Sequence, residues 1–556
     1  MAVDDFSENW AAKDVSAEVR ADIEKLSAAR ATVDVPQEES KGTRYLDWRV
    51  LWKYTGPGWL MSMAYLDPGN LESDLQAGAF AGYQLLWVLF WSTVFGLVLQ
   101  VMAARLGVVT GKNLAECCRL EYSRPISIAL FFMAEIAIIG SDIQEVVGSA
   151  IAFKVLSNGA IPLWAGCIVT GLDTFSFLFL QQLGMRFLEA FFTALIFVMA
   201  VCFWINYGNS GADSSAVAYG TVVPELSSYA VVQAVGILGA VIMPHNIYLH
   251  SALVQSRRVQ RKGCMVSGSE SAKRVEVALK YNTIECAIAL FVSFLINLAV
   301  VGCFSKAFFS TECAQNGKAC VPNSKSLTGF DDDANTGCQT GYGQDGSCHA
   351  IGLANAAPAL SEVLGASAKY VFAIGVLAAG QASTMTGTYA GQYVMEGFLQ
   401  LKIPNWQRVL VTRLCSLGPA IAVALATSSN KTASDTLDEW LNILQSVQLP
   451  FALLPVLHCT SSERIMGHYR NTKFWQGVCW LLALIVMVTN VYLVIDFVTT
   501  DPASPHSPGF TAFLVIFGIL YMGFVGLLVW IDVKDLLQAG RSSSLERRLL
   551  ADETAA

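Results

Sequence analysis

The sequence predicts an all-α integral membrane protein of about twelve crossing helices, two of them broken mid-span. Three observations carry that prediction. Of the 556 residues, 54% are hydrophobic and 14% charged, with a mean hydropathy of +0.47, whereas soluble chains average roughly 25% charged residues. Apolar stretches of the length that crosses a bilayer, about 20 residues, recur along the chain. Two tetrapeptides, Asp67-Pro68-Gly69-Asn70 and Met243-Pro244-His245-Asn246, place polar groups and a helix-breaking proline inside such stretches.

Residues 1–45 are polar and lack the apolar core of a cleavable signal peptide, so they are expected as a flexible cytosolic tail. A membrane domain is expected over 46–532. Its apolar stretches fall near 52–80, 85–108, 126–154, 161–180, 186–207, 229–253, 277–304, 357–398, 407–427, 437–459, 474–497 and 509–531. Residues 533–556 read as a second short cytosolic tail.

Lysine and arginine set the orientation. With the N-terminus inside and twelve crossings, the outer side receives Lys154, Lys306, Lys318, Lys325, Lys369 and Lys431, six of the 36 basic residues. Both termini are therefore expected in the cytosol. Arg257, Arg258, Arg261, Lys262, Lys273 and Arg274 crowd the segment between the sixth and seventh crossings and read as a topology anchor. The net charge of −8 gives no basis for a nucleic-acid partner; the lipid bilayer is the expected surrounding.

The loop 305–356 holds Cys313, Cys320, Cys338 and Cys348, together with Asp331-Asp332-Asp333. It is expected on the lumenal or external side, where disulfides persist. Three pairings are open, and a soft-metal site is the alternative. Asn430-Lys431-Thr432, on the same side, matches a glycosylation acceptor.

The breaks carry the chemistry. Asp67 falls mid-membrane, where a charge costs at least ~2.5–3.5 kcal/mol, so it requires a cation, a proton or a basic partner. Asn70 adds a carbonyl oxygen three residues on. In the second break, a helix ending near Ala240 leaves that carbonyl without its donor, and Met243 adds a thioether. Oxygen alone suits Ca²⁺ and Mg²⁺, while added sulfur turns the set toward transition metals. Asp67, Asn70, Ala240 and Met243 would together suit Mn²⁺, Fe²⁺ and Cd²⁺.

Protons need a route as well. His245 and His250 lie on the sixth crossing and titrate near neutral pH in water. Glu135, Asp142 and Glu145 share one face of the third crossing, by spacings of seven and three. Arg413, in the ninth, is a plausible counter-charge.

Met63–Gln76 and Ile242–Ser251, with Ala378–Gln392 and Gln448–Leu453, resemble the NRAMP (natural resistance-associated macrophage protein) family of proton-coupled divalent metal transporters. The resemblance covers residues 50–530, and the run after Asn70 is most similar to eukaryotic, plant or algal, members. It implies a LeuT-like fold, in which crossings one to five and six to ten form inverted repeats with the first and sixth broken. It also implies metal ligation by Asp67, Asn70, the Ala240 carbonyl and Met243, alternating access toward the cytosol, and no bound cofactor. A glutamine of the tenth crossing joins the shell in some members; its position is Asn442 here, with Gln445 and Gln448 nearby. Asp142, Glu145, Arg413 and Glu135 match a proton or salt-bridge route to the cytosol in that family.

Other classes fit less well. A sodium-coupled amino-acid site has no use for Met243, and an NRAMP-like sensor is expected to carry a large soluble C-terminal domain. A branch moving Mg²⁺ or Al³⁺ is expected to depart at Met243. No Walker loop, zinc-helix motif or nucleophile elbow suggests an enzyme. Plasma, endosomal and vacuolar membranes all remain open.

Overall fold

Two prolines break two membrane helices, and the breaks organise the fold. The computed structural model describes residues 33–35, 46–261, 264–265, 268–323, 337–400, 405–427, 441–500, 512 and 515–534. The side chains of 174–182, 405, 408–409, 412–413, 423 and 493–500 lie outside that description. The first span opens with α1 (Pro57–Ser62) and a 3-10 turn at Met63–Tyr65, then runs extended at Asp67 before α2 (Pro68–Ala81). Pro68 takes the first helical position, where its missing N–H would have no helical partner anyway. It therefore donates nothing to the carbonyl of Ala64, four residues back. The Asn70 side-chain amide reaches that oxygen instead, at 3.5 Å.

A tight turn at Gly82, with φ of 65°, passes the chain into α3 (Leu86–Thr110). The short helix Leu114–Glu121 leads to α4 (Arg124–Leu156), and Leu163–Gln182 precedes α5 (Met185–Ser210). The second break then repeats the first. Helix α6 (Val231–Val241) stops, Met243 is extended, and α7 (Pro244–Leu253) starts with proline at its first position. Pro244 likewise has no N–H to give the carbonyl of Ala240. Beyond it come α8 (Glu270–Phe308), α9 (Leu353–Leu364), α10 (Ala366–Leu399) and the helix Asn405–Thr427. Helix α11 (Leu441–Ser461, with a turn at Leu449), Lys473–Thr500 and α12 (Val515–Lys534) complete the described chain.

Among the described residues, eight helices are long and apolar enough to cross a membrane. Each of the twelve expected stretches contains helix where it is described, with interruptions that include the two breaks and Gly365, which divides 357–398 into α9 and α10. The first two join through the turn at Gly82 into one element, Pro68–Thr110. Leu163–Gln182 and Asn405–Thr427 are described only in part. In α10 the middle is Gly, Ala, Ser and Thr rather than large apolar residues, because it packs closely along α4. A β-carbon on Gly380 would stand 2.1 Å from Ser149 Oγ.

Pairing of the half-helices brings the breaks to one level. Helix α2 packs on α6, and α1 packs on α7. Helix α8 braces the first break, with Ser293 Oγ donating to Ser62 O at 3.0 Å and Asn297 Nδ2 to Tyr65 O at 2.9 Å.

The loop after α8 departs from an all-α reading. Strands β1 (Ala319–Pro322), β2 (Gly337–Gln339) and β3 (Asp345–His349) form an antiparallel sheet in the order β1-β3-β2. Two disulfides, Cys313–Cys348 and Cys320–Cys338, are its core. They choose one of the three pairings and take up the sulfurs that a soft-metal site would need as thiolates. Within the segment expected as a flexible tail, Val33–Asp34 pair in parallel with Arg257–Arg258. Asn430 lies outside the described residues.

Candidate metal site

Asp67 caps α2. Its Oδ1 accepts from the Asn70 backbone N–H at 2.8 Å and from the Asn70 side-chain amide at 2.6 Å. Both residues are 1% exposed, and Asp67 Oδ2 and Asn70 Oδ1 have no hydrogen-bond partner among the described residues. Leaving such buried acceptors unsatisfied costs roughly 1–3 kcal/mol each, more for a charge. Two orphaned oxygens at one helix break are the donor set a cation would complete. The break of the sixth span, whose helix α6 packs on α2, holds Met243 and Ala240, both buried. The helix ends at Val241, so Ala240 sits in its last turn, as expected.

The tenth span comes close, and its Asn442 is already partnered. Gln144 Nε2 donates to Asn442 Oδ1 at 2.9 Å, and Asn442 Nδ2 points to Gly69 O at 3.5 Å. One turn further, Gln445 is fully buried with neither its Nε2 nor its Oε1 partnered among the described residues. Gln144 itself lies over the break: a β-carbon on Gly69 would stand 2.8 Å from its Oε1. The sequence reading passed over Gln144, although it falls between Asp142 and Glu145.

The carboxyls of α4 face α10. Asp142 and Glu145 are buried, Ser141 Oγ donates to Glu145 Oε1 at 2.9 Å, and Gly387 leaves room for both carboxylates. Glu135 is half-buried, with Oε1 unpartnered among the described residues. His245 is buried in α7 with Nδ1 unpartnered among the described residues. His250 joins Gln100 Oε1 at 2.9 Å, and Gln100 Nε2 reaches Tyr65 OH at 3.4 Å, tying α7 to the first break. The Arg413 side chain lies outside the described residues.

On the α1 side of the breaks, a charged cluster closes the bundle. Arg257, one of the basic cluster expected as a topology anchor, is fully buried, and Glu189 Oε1 holds its Nη1 at 2.7 Å. Arg257 Nη2 also donates to Thr55 O at 2.5 Å, and Arg186 Nη1 to the same oxygen at 2.6 Å. Glu285 accepts from the N–H groups of Gly56 and Gly58. Gly56, at φ 147°, fits there because a β-carbon would stand 2.1 Å from Glu189 Cδ. Three elements thus grip the start of α1.

The family profile "Natural resistance-associated macrophage protein-like" matches residues 58–496, a span that holds both breaks and the α4 carboxyls. This chain belongs to the Nramp family. It is 50% identical over 470 residues to the "Metal transporter nramp1 homolog" of Dictyostelium discoideum, covering 84% of this chain and 79% of that one. It is 47% identical over 489 residues to "Metal transporter Nramp3" of Arabidopsis thaliana, covering 87% and 85%. A crystal structure of a mutant Eremococcus coleocola manganese transporter superposes with a TM-score of 0.72 at 29% identity, covering 91% of this chain and 98% of that one. Nramp membership makes the chain a multi-pass membrane transporter of divalent metal ions and not an enzyme, and its relatives named here include eukaryotic members.

Proposed function

We propose that this Nramp protein carries Mn²⁺ or Fe²⁺, and also Cd²⁺, toward the cytosol in exchange for no chemical work other than the flow of protons and the membrane potential. The observation that carries this reading is the pair of orphaned, buried oxygens, Asp67 Oδ2 and Asn70 Oδ1, at a break whose half-helices pack against those flanking Met243 and Ala240. A divalent ion there gains a carboxylate, an amide oxygen, a main-chain carbonyl and a thioether, a mixed set that favours transition metals over Ca²⁺. Asn442 Oδ1, which accepts from Gln144, keeps a second lone pair with which it could join the shell.

Proton release follows from the same charge. A cation on Asp67 displaces its proton, and Glu145, Asp142 and Glu135 lead along α4 away from the break. His245, His250 and Arg413 belong to this proton-handling set. The potential adds about 2.3 kcal/mol per charge per 100 mV in the inward direction. The fold that supports alternating access is the LeuT-like one: twelve crossings, inverted repeats, both termini cytosolic. The buried Arg257–Glu189 pair would close the cytosolic side and part when α1 moves.

The test is uptake of Mn²⁺ into proteoliposomes holding an inside-negative potential. Asp67→Ala is expected to abolish it; uptake at the wild-type rate would overturn the assignment.

A further inference from the structure

Helix α2 carries another carboxyl that the metal site does not use. Asp74 is 1% exposed, and its Oδ2 is buried with no hydrogen-bond partner among the described residues. Asp67, Asn70 and Asp74 are spaced three and four apart, so they line one face of the helix. Asp74 stands about 10 Å along the axis from Asp67.

Its direction from the break matters. Helix α2 runs toward the disulfide-bonded loop: Gly78 packs on Val301 O and Ser305 N near the end of α8, and Gly82 on Phe309. The end of α4 lies on that same side, where Asn158 accepts from Lys369 and Tyr370 at the start of α10. Glu145, Asp142 and Glu135 run the other way, back toward Arg124. Asp74 and the α4 carboxyls therefore lie on opposite sides of Asp67.

An ionised, unpaired carboxylate at membrane depth costs several kcal/mol, so Asp74 needs a counterpart. A divalent cation needs several ligands brought together, and among the described residues no cluster of His, Cys, Asp and Glu gathers at Asp74. A proton needs one. Among the described residues the charged neighbour of Asp74 is Asp67. Glu72, on its own helix, is committed to Gln76 Nε2 at 2.7 Å and to the Leu353 N–H.

We propose that Asp74 is the carboxyl through which protons from the loop side reach Asp67. The inference rests on the proton-coupled reading above. Asp74 takes a proton from water on the loop side and passes it along a water chain, past Asn70 Oδ1, to the Asp67 carboxylate. Each hop breaks one O–H bond and forms another, with no change of oxidation state. Displacement of that proton by the metal then sends it on to Glu145 and Asp142.

The experiment reads Mn²⁺ uptake and internal acidification together, in proteoliposomes of the full chain at fixed potential. Wild-type protein is expected to acidify the lumen as Mn²⁺ enters. In Asp74→Asn the protons moved per Mn²⁺ should fall at least fivefold, while Cd²⁺ affinity by calorimetry stays within twofold. Asp74→Glu should restore at least half of the ratio. An unchanged ratio in Asp74→Asn, with wild-type acidification present, overturns the role of Asp74 alone. Mn²⁺ uptake by wild type without acidification overturns the proton-coupled reading and Asp74 with it. Should Asp74→Asn fail to fold, Asp74→Ser against Asp74→Glu gives the same contrast.

Discussion

Asp67 and Asn70 hold each other in a single geometry: one carboxylate oxygen takes both N–H groups of the asparagine, at 2.8 and 2.6 Å. A helix cap needs only the backbone bond. The second bond fixes the asparagine rotamer, and Asn70 Oδ1 and Asp67 Oδ2 are both left without protein donors among the described residues.

Asn70→Ala should therefore cost more than a cap. It removes one oxygen and lets the Asp67 carboxylate rotate. Cd²⁺ affinity measured by calorimetry is expected to fall at least tenfold, about 1.4 kcal/mol. An affinity within twofold of wild type would mean that Asn70 serves the helix and not the ion.

Met243 is expected to set selectivity rather than affinity alone. Its thioether is the one soft atom proposed for the shell. In Met243→Ala, uptake of Ca²⁺ should rise relative to Cd²⁺ in paired tracer assays. A ratio that does not move removes sulfur from the account.

Gly69→Ala tests the closeness of Gln144. The added methyl would stand 2.8 Å from Gln144 Oε1, and overpacking of this kind costs roughly 1–3 kcal/mol. Reduced Mn²⁺ uptake is expected, with partial recovery in Gly69→Ala combined with Gln144→Ser. Lack of any recovery would place the damage in the turn itself.

Glu189→Gln should loosen the α1 end. Removing the charge strands Arg257, and breaking a buried pair costs about 3–5 kcal/mol. Lower thermal stability in detergent is expected, together with faster labelling of Ser62→Cys by a thiol reagent applied from the α1 side. Equal labelling with and without Glu189 would show the cluster to be a passive brace.

Much of this arrangement is legible in the chain. Pro68 and Pro244 announce both breaks, because a missing N–H acts locally and needs no partner to be read. Asp67, Asn70, Ala240 and Met243 are visible for the same reason. Long-range pairing is not. Gln144 meets Asn442 across 298 positions, and nothing in the sequence pairs Arg257 with Glu189, 68 positions away. Disulfide choice is hidden in strand register: Cys320 lies opposite Cys348, yet each bonds elsewhere. Asp74 sits within a regular helical run with no proline or break to mark it, although a spacing of seven puts it on the face of Asp67.

The Ala240 carbonyl is a main-chain atom, so no side-chain replacement at 240 deletes it. What leaves it unclaimed is the ring of Pro244, which offers no N–H. Tolerance and importance are thus separated by four residues. A mutational scan would find Ala240 limited mainly by the size of what it admits, while any other residue at 244 would bring back an N–H and weaken the signal that ends the helix. Pro68 likewise gives no N–H to the Ala64 carbonyl, which the Asn70 side-chain amide reaches instead, so at both breaks heritable control of a backbone acceptor resides about one helical turn downstream of the atom it governs.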